Sequence, residues 1–312
     1  MMPAWRSLRG FSTLICGSMA ALIAMAAPSH AQTLFTSPSE ASAALVEAAR
    51  RDDMTRLRRI MGVAGRQILS SGDPVADRAD RLRFVAAYDS RHALSQKGDK
   101  ATLLVGEAEY PFPIPLARTG GGWRFDAAAG REEVLARRIG RNELAAIQAS
   151  LAIVDAQQDY AAKDRTGQGR GVYAQRIVSR AGSKDGLYWP AVSGEEPSPL
   201  GALAAQAAAE GYQAGGTGQP FHGYLYKILS RQGQAAPGGS LDYVAGGQMI
   251  GGFALLAYPA EYGRSGIMSF IVNHLGTVYQ KDLGAETARA AARMRQFNPE
   301  KGWEKVENPN PG

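Results

Sequence analysis

The sequence predicts an α+β protein built from two units, and three observations carry that prediction. Helical spacing of apolar residues runs to about residue 88 and then gives way to strand-like alternation. A second stretch of helical spacing after residue 142 is followed by strands joined through tight glycine turns. The 312 residues are 45% hydrophobic and 21% charged, which supplies apolar chain for two cores and excludes a disordered, collagenous or purely coiled-coil chain. The units are expected over 32–130 and 142–297, with a basic connecting helix at 131–141 and a tail at 298–312.

In the first unit, Ser37-Pro38-Ser39-Glu40 places a hydroxyl at the N-cap, proline at the first helical position and glutamate at the third. This capping-box pattern predicts a helix over 38–51. Asp52 and Asp53 cap a short helix through Ile60, stopped by Gly62. Asp73-Pro74 repeats the cap-and-proline signal, and Val75, Ala79, Leu82, Val85 and Ala86 recur at helical spacing toward Tyr88. Strands are expected over 101–105, 110–117 and 123–126, the last behind the turn Gly120-Gly121-Gly122. In the middle one, Pro111, Pro113 and Pro115 remove alternate donors while Phe112, Ile114 and Leu116 share a face, so it belongs at a sheet edge or a protein contact.

Residues 132–139 read as a short basic helix ending at Gly140-Arg141, after which Asn142 caps a longer one. Its apolar stripe is Leu144, Ile147, Leu151 and Val154, with small residues beside it that admit a close neighbour. A glycine-rich loop at 164–171, a weakly structured region and an alanine-rich helix over 200–210 follow. Strands are expected over 224–230, 253–258, 267–272 and 277–281. The short connections at 263–266 and 273–276 make them an antiparallel meander. A closing helix over 285–296 carries Glu286 near its start and Arg289, Arg293 and Arg295 later, in keeping with the helix dipole. Gly246-Gly247 and Gly251-Gly252 imply bulges or a close backbone approach.

The N-terminus reads as an address. Arg6 and Arg9 precede an apolar run at 11–27, and Pro28-Ser29-His30-Ala31 ends it in small residues, the three-part layout of a secretory signal peptide cleaved after Ala31. Retention of this stretch as an anchor is the competing reading, but Ser12, Thr13, Gly17 and Ser18 leave it short of the roughly 20 apolar residues that a span requires. No later segment reads as an integral membrane span, so a periplasmic or secreted protein is expected. Cys16 is the single cysteine and lies in this leader, which leaves a processed chain without thiol or disulfide. Removing Arg6 and Arg9 lowers the formal charge from +6 to +4. That mild balance, without a block of like charge, gives no case for nucleic acid as a partner.

Three stretches, "SSGDPVADRADRLRFVAAYDSRH", "YPFPIPLARTGGGWRFDAAAGREEVLARRIGRNELAAIQA" and "GQMIGGFALLAYPAEYGRSGIMSFIVNHLGTVYQKDLG", resemble a family of exported bacterial proteins known as a domain of unknown function (DUF2950). The resemblance covers nearly the whole processed chain and implies no activity. The second half, "ELAAIQASLAIVDAQQDYAAKDRTGQGRGVYAQRI" followed by "GYLYKILS" and the later strands, is similar to the globular head of type IV pilins and pseudopilins. It lacks their N-terminal stem and processing site. The first half is similar in outline to the nuclear-transport-factor-2-like cone. Both are analogies of fold and transfer no function.

Candidate chemistry is sparse. Asp164-Arg165-Thr166-Gly167-Gln168-Gly169 stands where a calcium loop could fall, but one carboxylate is too few, and a helix-terminating turn fits better. His92, His222 and His274 lie apart in sequence without zinc spacing, so no metal site and no cofactor is expected. A hydrolase reading would use Ser265, His274 and Asp282 from one meander, although Gly263-Arg264-Ser265-Gly266 is not a nucleophile elbow and its serine suits a tight hairpin. Arg131, Arg137, Arg138 and Arg141 form the one local basic cluster, read as a solvated helix face or a site for an anionic partner. Tyr188, Trp189, Phe221 and Tyr224, with Tyr226 and Tyr243, are core plugs or an aromatic binding surface. A cavity lined by Leu82, Val85, Phe112 and Trp123 would make the first unit a small-molecule carrier. The leading expectation is a non-catalytic envelope protein that binds another envelope protein or a ligand; the alternatives are the hydrolase and the carrier.

Overall fold

The first helices begin where their cap residues stand. In this computed structural model, which describes residues 32–213 and 218–307, helix α1 (Pro38–Arg50) starts at Ser37, whose hydroxyl accepts the Glu40 N–H at 3.1 Å. Glu40 reaches back one residue further than a capping box requires, accepting the Thr36 N–H at 2.8 Å. Asp53 caps α2 (Met54–Met61), which stops at Gly62 with φ +67°. A 3₁₀ turn (Val63–Gly65) leads into α3 (Arg66–Leu69). Asp73 then caps α4 (Pro74–Ser90), accepting the N–H groups of Val75 and Ala76. The expected leader at 1–31 lies outside the described residues.

Five strands follow: β1 (His92–Lys97), β2 (Lys100–Val105), β3 (Tyr110–Pro111), β4 (Leu116–Thr119) and β5 (Gly122–Phe125). Their order is β1-β2-β4-β5, all antiparallel, with β3 also pairing β2. Strand β1 is absent from the sequence reading because every residue in it is exposed, which leaves no alternation to detect. The expected strand over 110–117 is corrected to two short ones. The Phe112 N–H still donates to the Leu103 carbonyl at 2.7 Å, but the prolines interrupt the ladder at 113–114, and that stretch packs instead on α5 (Ala127–Ala162): a Cβ on Gly130 would sit 2.4 Å from the Pro113 carbonyl. The shared face holds as expected, with Ile114 and Leu116 in a core that includes Leu45, Leu57, Ile60, Trp123 and Phe125.

Helix α5 also replaces the expected connecting helix at 131–141 and the separate helix from Asn142. Asp126 caps its start, accepting the Ala129 N–H at 3.1 Å, and the 36 residues run on through Gly140-Arg141. Gly140 costs a helix interior about 1 kcal/mol, which packing at both ends offsets. Asn142 does not cap; its amide donates to the Ser265 carbonyl at 2.9 Å. The helix thus joins the first core, through Ala127 and Val134, to a second one, through Ala146, Ile147, Ile153 and Val154. Residues from Gln32 onward form one compact unit containing both cores.

After the loop at 163–200 come α6 (Gly201–Glu210), ended by Gly211 at φ +101°, then β6 (Tyr224–Leu229) and four two-residue strands. These are β7 (Arg231–Gln232), β8 (Leu241–Asp242), β9 (Val244–Ala245) and β10 (Gln248–Met249). The meander is completed by β11 (Ala254–Pro259), β12 (Met268–Asn273) and β13 (Val278–Asp282), with α7 (Thr287–Arg293), β14 (Gln296–Phe297) and β15 (Glu304–Lys305) closing the described chain. The sheet order β15-β13-β12-β11-β6 is antiparallel throughout and contains the expected meander. Helix α7 is shorter than expected because its last carbonyls turn to Lys227, whose ammonium donates to Ala291, Ala292 and Met294. The glycine signal at 251–252 is a close approach: a Cβ on Gly252, which has φ +123°, would lie 2.7 Å from His274 Nδ1.

Candidate functional site

Strand β6 is the last strand of its sheet, and a cleft of about 670 Å³ opens beside it. Side chains from both faces of β6 line the cleft: Leu225 and Lys227 from one, Tyr226 and Ile228 from the other. It is also lined by α6, through Leu203, Ala204 and Ala207, by the segment 175–178, and by Ala149 and Ile153 of α5. Helix α6 has no fully buried residue, so its apolar side is half-exposed into this space instead of being sealed in a core. A concave, mostly apolar volume of this size with few polar groups is the form that ligand sites take.

One end of the cleft is fixed by a buried carboxylate. Asp73, 1% exposed, accepts the Tyr212 hydroxyl at 2.9 Å and the Gly223 N–H at 2.8 Å, besides capping α4. One side chain therefore ties the first core to the start of β6. Burial, and then the Asp73 charge, pushes the Tyr212 hydroxyl well above its usual range, so it stays a donor. The nearby Tyr226 hydroxyl is enclosed and has no hydrogen-bond partner among the described residues, and burial pushes it up as well. On the rim, Arg176 stands 3.5 Å from Asp185. Burial alone would raise the Asp185 carboxyl. Hydrogen bonds from Ser183, the Arg180 N–H and the Arg180 guanidinium outweigh it and hold the group at about 2.

The residues singled out from sequence divide. Tyr188 and Phe221 line the cleft. Trp189 is buried beneath the Arg165 guanidinium and the Lys184 ammonium, and Tyr224 is fully buried with its hydroxyl donating to the Met268 carbonyl at 2.8 Å. Tyr243 is likewise core, bonding Gln232, with its hydroxyl raised by burial to about 12. Tyr226, singled out beside them, lines the cleft as well. Tyr212, Arg176 and α6 were missed as site components, because the walls come from segments far apart in sequence.

Ser265, His274 and Asp282 do not converge. Ser265 and His274 flank opposite ends of β12, and a six-residue strand spans about 20 Å. The Ser265 side chain is buried in its own turn, accepting the Glu261 N–H at 2.9 Å and donating to the Glu261 carbonyl. His274 packs edge-on against Tyr243, while Asp282 accepts the Tyr262 hydroxyl and the Gly284 N–H. No proton relay connects them.

The arginine cluster is likewise dispersed. Arg138 is 7% exposed and donates to the carbonyls of Gln67 and Ile68 at the end of α3. Burial depresses its guanidinium and the Asp77 charge counters this, while burial raises the Asp77 carboxyl. Arg137 pairs with Glu133 and Arg141 with Asp80, and Arg131 is exposed. The four do not form one cationic face. Asp164 accepts the N–H groups of Thr166 and Gln168, the helix-terminating turn. Among the described residues no group of three or more His, Cys, Asp or Glu is placed to hold a metal ion. Val85 and Trp123 are core residues, Phe112 packs on Phe84, and Leu82 is 48% exposed, so the four residues of the expected carrier cavity do not surround a common space.

The fold and the cleft define an α+β protein with an apolar slot beside an open sheet edge, and no helix among the described residues is long and apolar enough to cross a membrane. The chain belongs to the family described as "Protein of unknown function (DUF2950)", which matches residues 32–306. No curated protein and no solved structure matches the chain.

Proposed function

We propose that this protein is an exported, non-catalytic binding component of the cell envelope, and that it holds its ligand in the cleft beside β6. The observation that carries the reading is the cleft itself, an apolar space walled by Tyr188, Phe221, Leu203 and Ile228. Export rests on the charged, apolar and small-residue layout of residues 1–31. The separation of Ser265 from His274 speaks against the hydrolase. The likeness of the second half to a pilin head belongs to this reading, as a helix-backed meander used without a filament stem to present a ligand surface.

The test uses 1-anilinonaphthalene-8-sulfonate, an apolar anionic probe whose fluorescence rises in apolar sites. Its fluorescence should rise with the native protein and fail to rise with Ala204→Trp, which fills the cleft from a half-exposed helix position. Equal signals from the two proteins would overturn the cleft as the site. Export is checked by the N-terminus of the protein recovered from a periplasmic fraction, which should begin at Gln32. Recovery only from the cytoplasm would overturn it.

A further inference from the structure

The backbone of β6 narrows what the cleft can hold. In an antiparallel strand, successive residues direct their N–H and C=O groups to opposite sides. The Gly223 carbonyl accepts the Ala260 N–H next to β11, so Gly223, Leu225, Lys227 and Leu229 face β11, and Tyr224, Tyr226, Ile228 and Ser230 face away. Tyr224 is closed on that outer side by two hydrogen bonds with Phe221, and the Ser230 carbonyl is closed by the Tyr243 N–H at 2.8 Å. The outward N–H and C=O groups of Tyr226 and Ile228 bond no described residue. They stand two residues apart, about 6.8 Å, the repeat of a β-ladder.

Because side chains of both faces of β6 line the cleft, an occupant lies in the plane of the sheet, against the open edge. Helix α6 and the segment 175–178 wall this edge on its far side. An occupant of this edge therefore also meets Ile177, Val178 and Leu203. Charge selects further. The lining contains no carboxylate and two cations, of which Lys227 is committed to the end of α7. Arg176 is half-exposed and shares the single carboxylate of Asp185 with Arg180, so at Arg176 the rim carries two cations to one carboxylate.

We infer that the β6 edge binds an extended peptide segment of a partner protein by strand addition, with apolar side chains alternating with acidic ones. The apolar side chains enter between Ile177, Val178 and Leu203, and a carboxylate meets Arg176. This rests on the cleft being the binding site, and the experiment separates the two claims.

The probe is a set of fluorescein-labelled five-residue peptides that alternate glutamate with valine, isoleucine, leucine or phenylalanine, read by anisotropy against the native protein. At least one should bind. Methylating the two peptide amides that face β6 should weaken binding about tenfold or more, since both hydrogen bonds to the strand are lost. Methylating the opposite amides should leave it within about twofold, the difference expected when no hydrogen bond is lost. Hydrogen exchange at Tyr226 and Ile228 should slow in the complex. Arg176→Glu should shift preference from the glutamate peptides to lysine analogues. Equal weakening by both methylation patterns, or unchanged exchange at Tyr226 and Ile228, would overturn strand addition. Absence of binding by the whole set, with the naphthalene probe still bound and still displaced by Ala204→Trp, would overturn the peptide and keep the cleft. Loss of both signals would remove the cleft as well.

Discussion

Strands β1 and β6 are both sheet edges, and they treat an open edge in opposite ways. Strand β1 projects with all six residues exposed, and His92, Gln96 and Lys97 give it a polar, charged surface. That is the ordinary defence of an edge against unwanted pairing. Strand β6 carries Leu225, Tyr226 and Ile228 instead, and it is recessed behind α6 and the 175–178 segment. The contrast separates two uses of the same backbone chemistry. Strand β1 meets solvent with polar and charged side chains, whereas β6 lies against the apolar residues of the cleft.

The largest expected effect falls on what holds β6 in place. Asp73→Ala removes a buried acceptor of four donors and should cost about 3–5 kcal/mol in urea unfolding. Ser95→Ala at the centre of β1 should stay within about 0.5 kcal/mol. Similar costs for the two would break the comparison.

The rim gives a smaller, pH-dependent effect. The folded-state value of Asp185, about 2, lies below the usual 3.8, so its stabilisation is present above pH 4 and is lost as pH falls toward 2. Asp185→Asn should therefore lower the urea midpoint at pH 7 and much less at pH 3. An equal loss at both values would show that the carboxylate charge is not what secures the rim beneath Arg176.

The smallest effect on stability tests the defence of β1. Ser95→Val together with Lys97→Val gives one face of β1 the character of β6 without its walls. Folding stability should change by about 0.5 kcal/mol or less for such surface positions, while light scattering should detect self-association. A double variant that stays as monodisperse as the native protein would mean that charge does not guard this edge.

What could be read in advance followed the range of the forces involved. Ser37, Asp53 and Asp73 cap helices through bonds to residues two or three positions away, so those starts were legible. The meander was legible because β11, β12 and β13 are apolar strands with short turns between them. The Gly140-Arg141 boundary misled, since a glycine inside a helix costs little when Ala127 and Ala146 are both packed. The arginines misled too: Arg138 lies one residue from Arg137 and shares its chemistry, yet one is buried on α3 and the other faces water. Of the aromatic candidates, Tyr188, Phe221 and Tyr226 reach the cleft, and nothing in their neighbours in sequence set them apart from Trp189 and Tyr224.

The sequence by itself determined the α+β class, the capped helices, the antiparallel meander and a fold that rests on cores without cysteine after Cys16. Each of these depends on neighbours in the chain or on composition. The tertiary structure alone decided that one helix joins both cores, that Ser265 and His274 stand at opposite ends of a strand, and that β6 keeps an open edge inside an apolar slot. These depend on which distant segments pack together. Asp73 meets Gly223 across 150 residues, and no local propensity encodes that meeting.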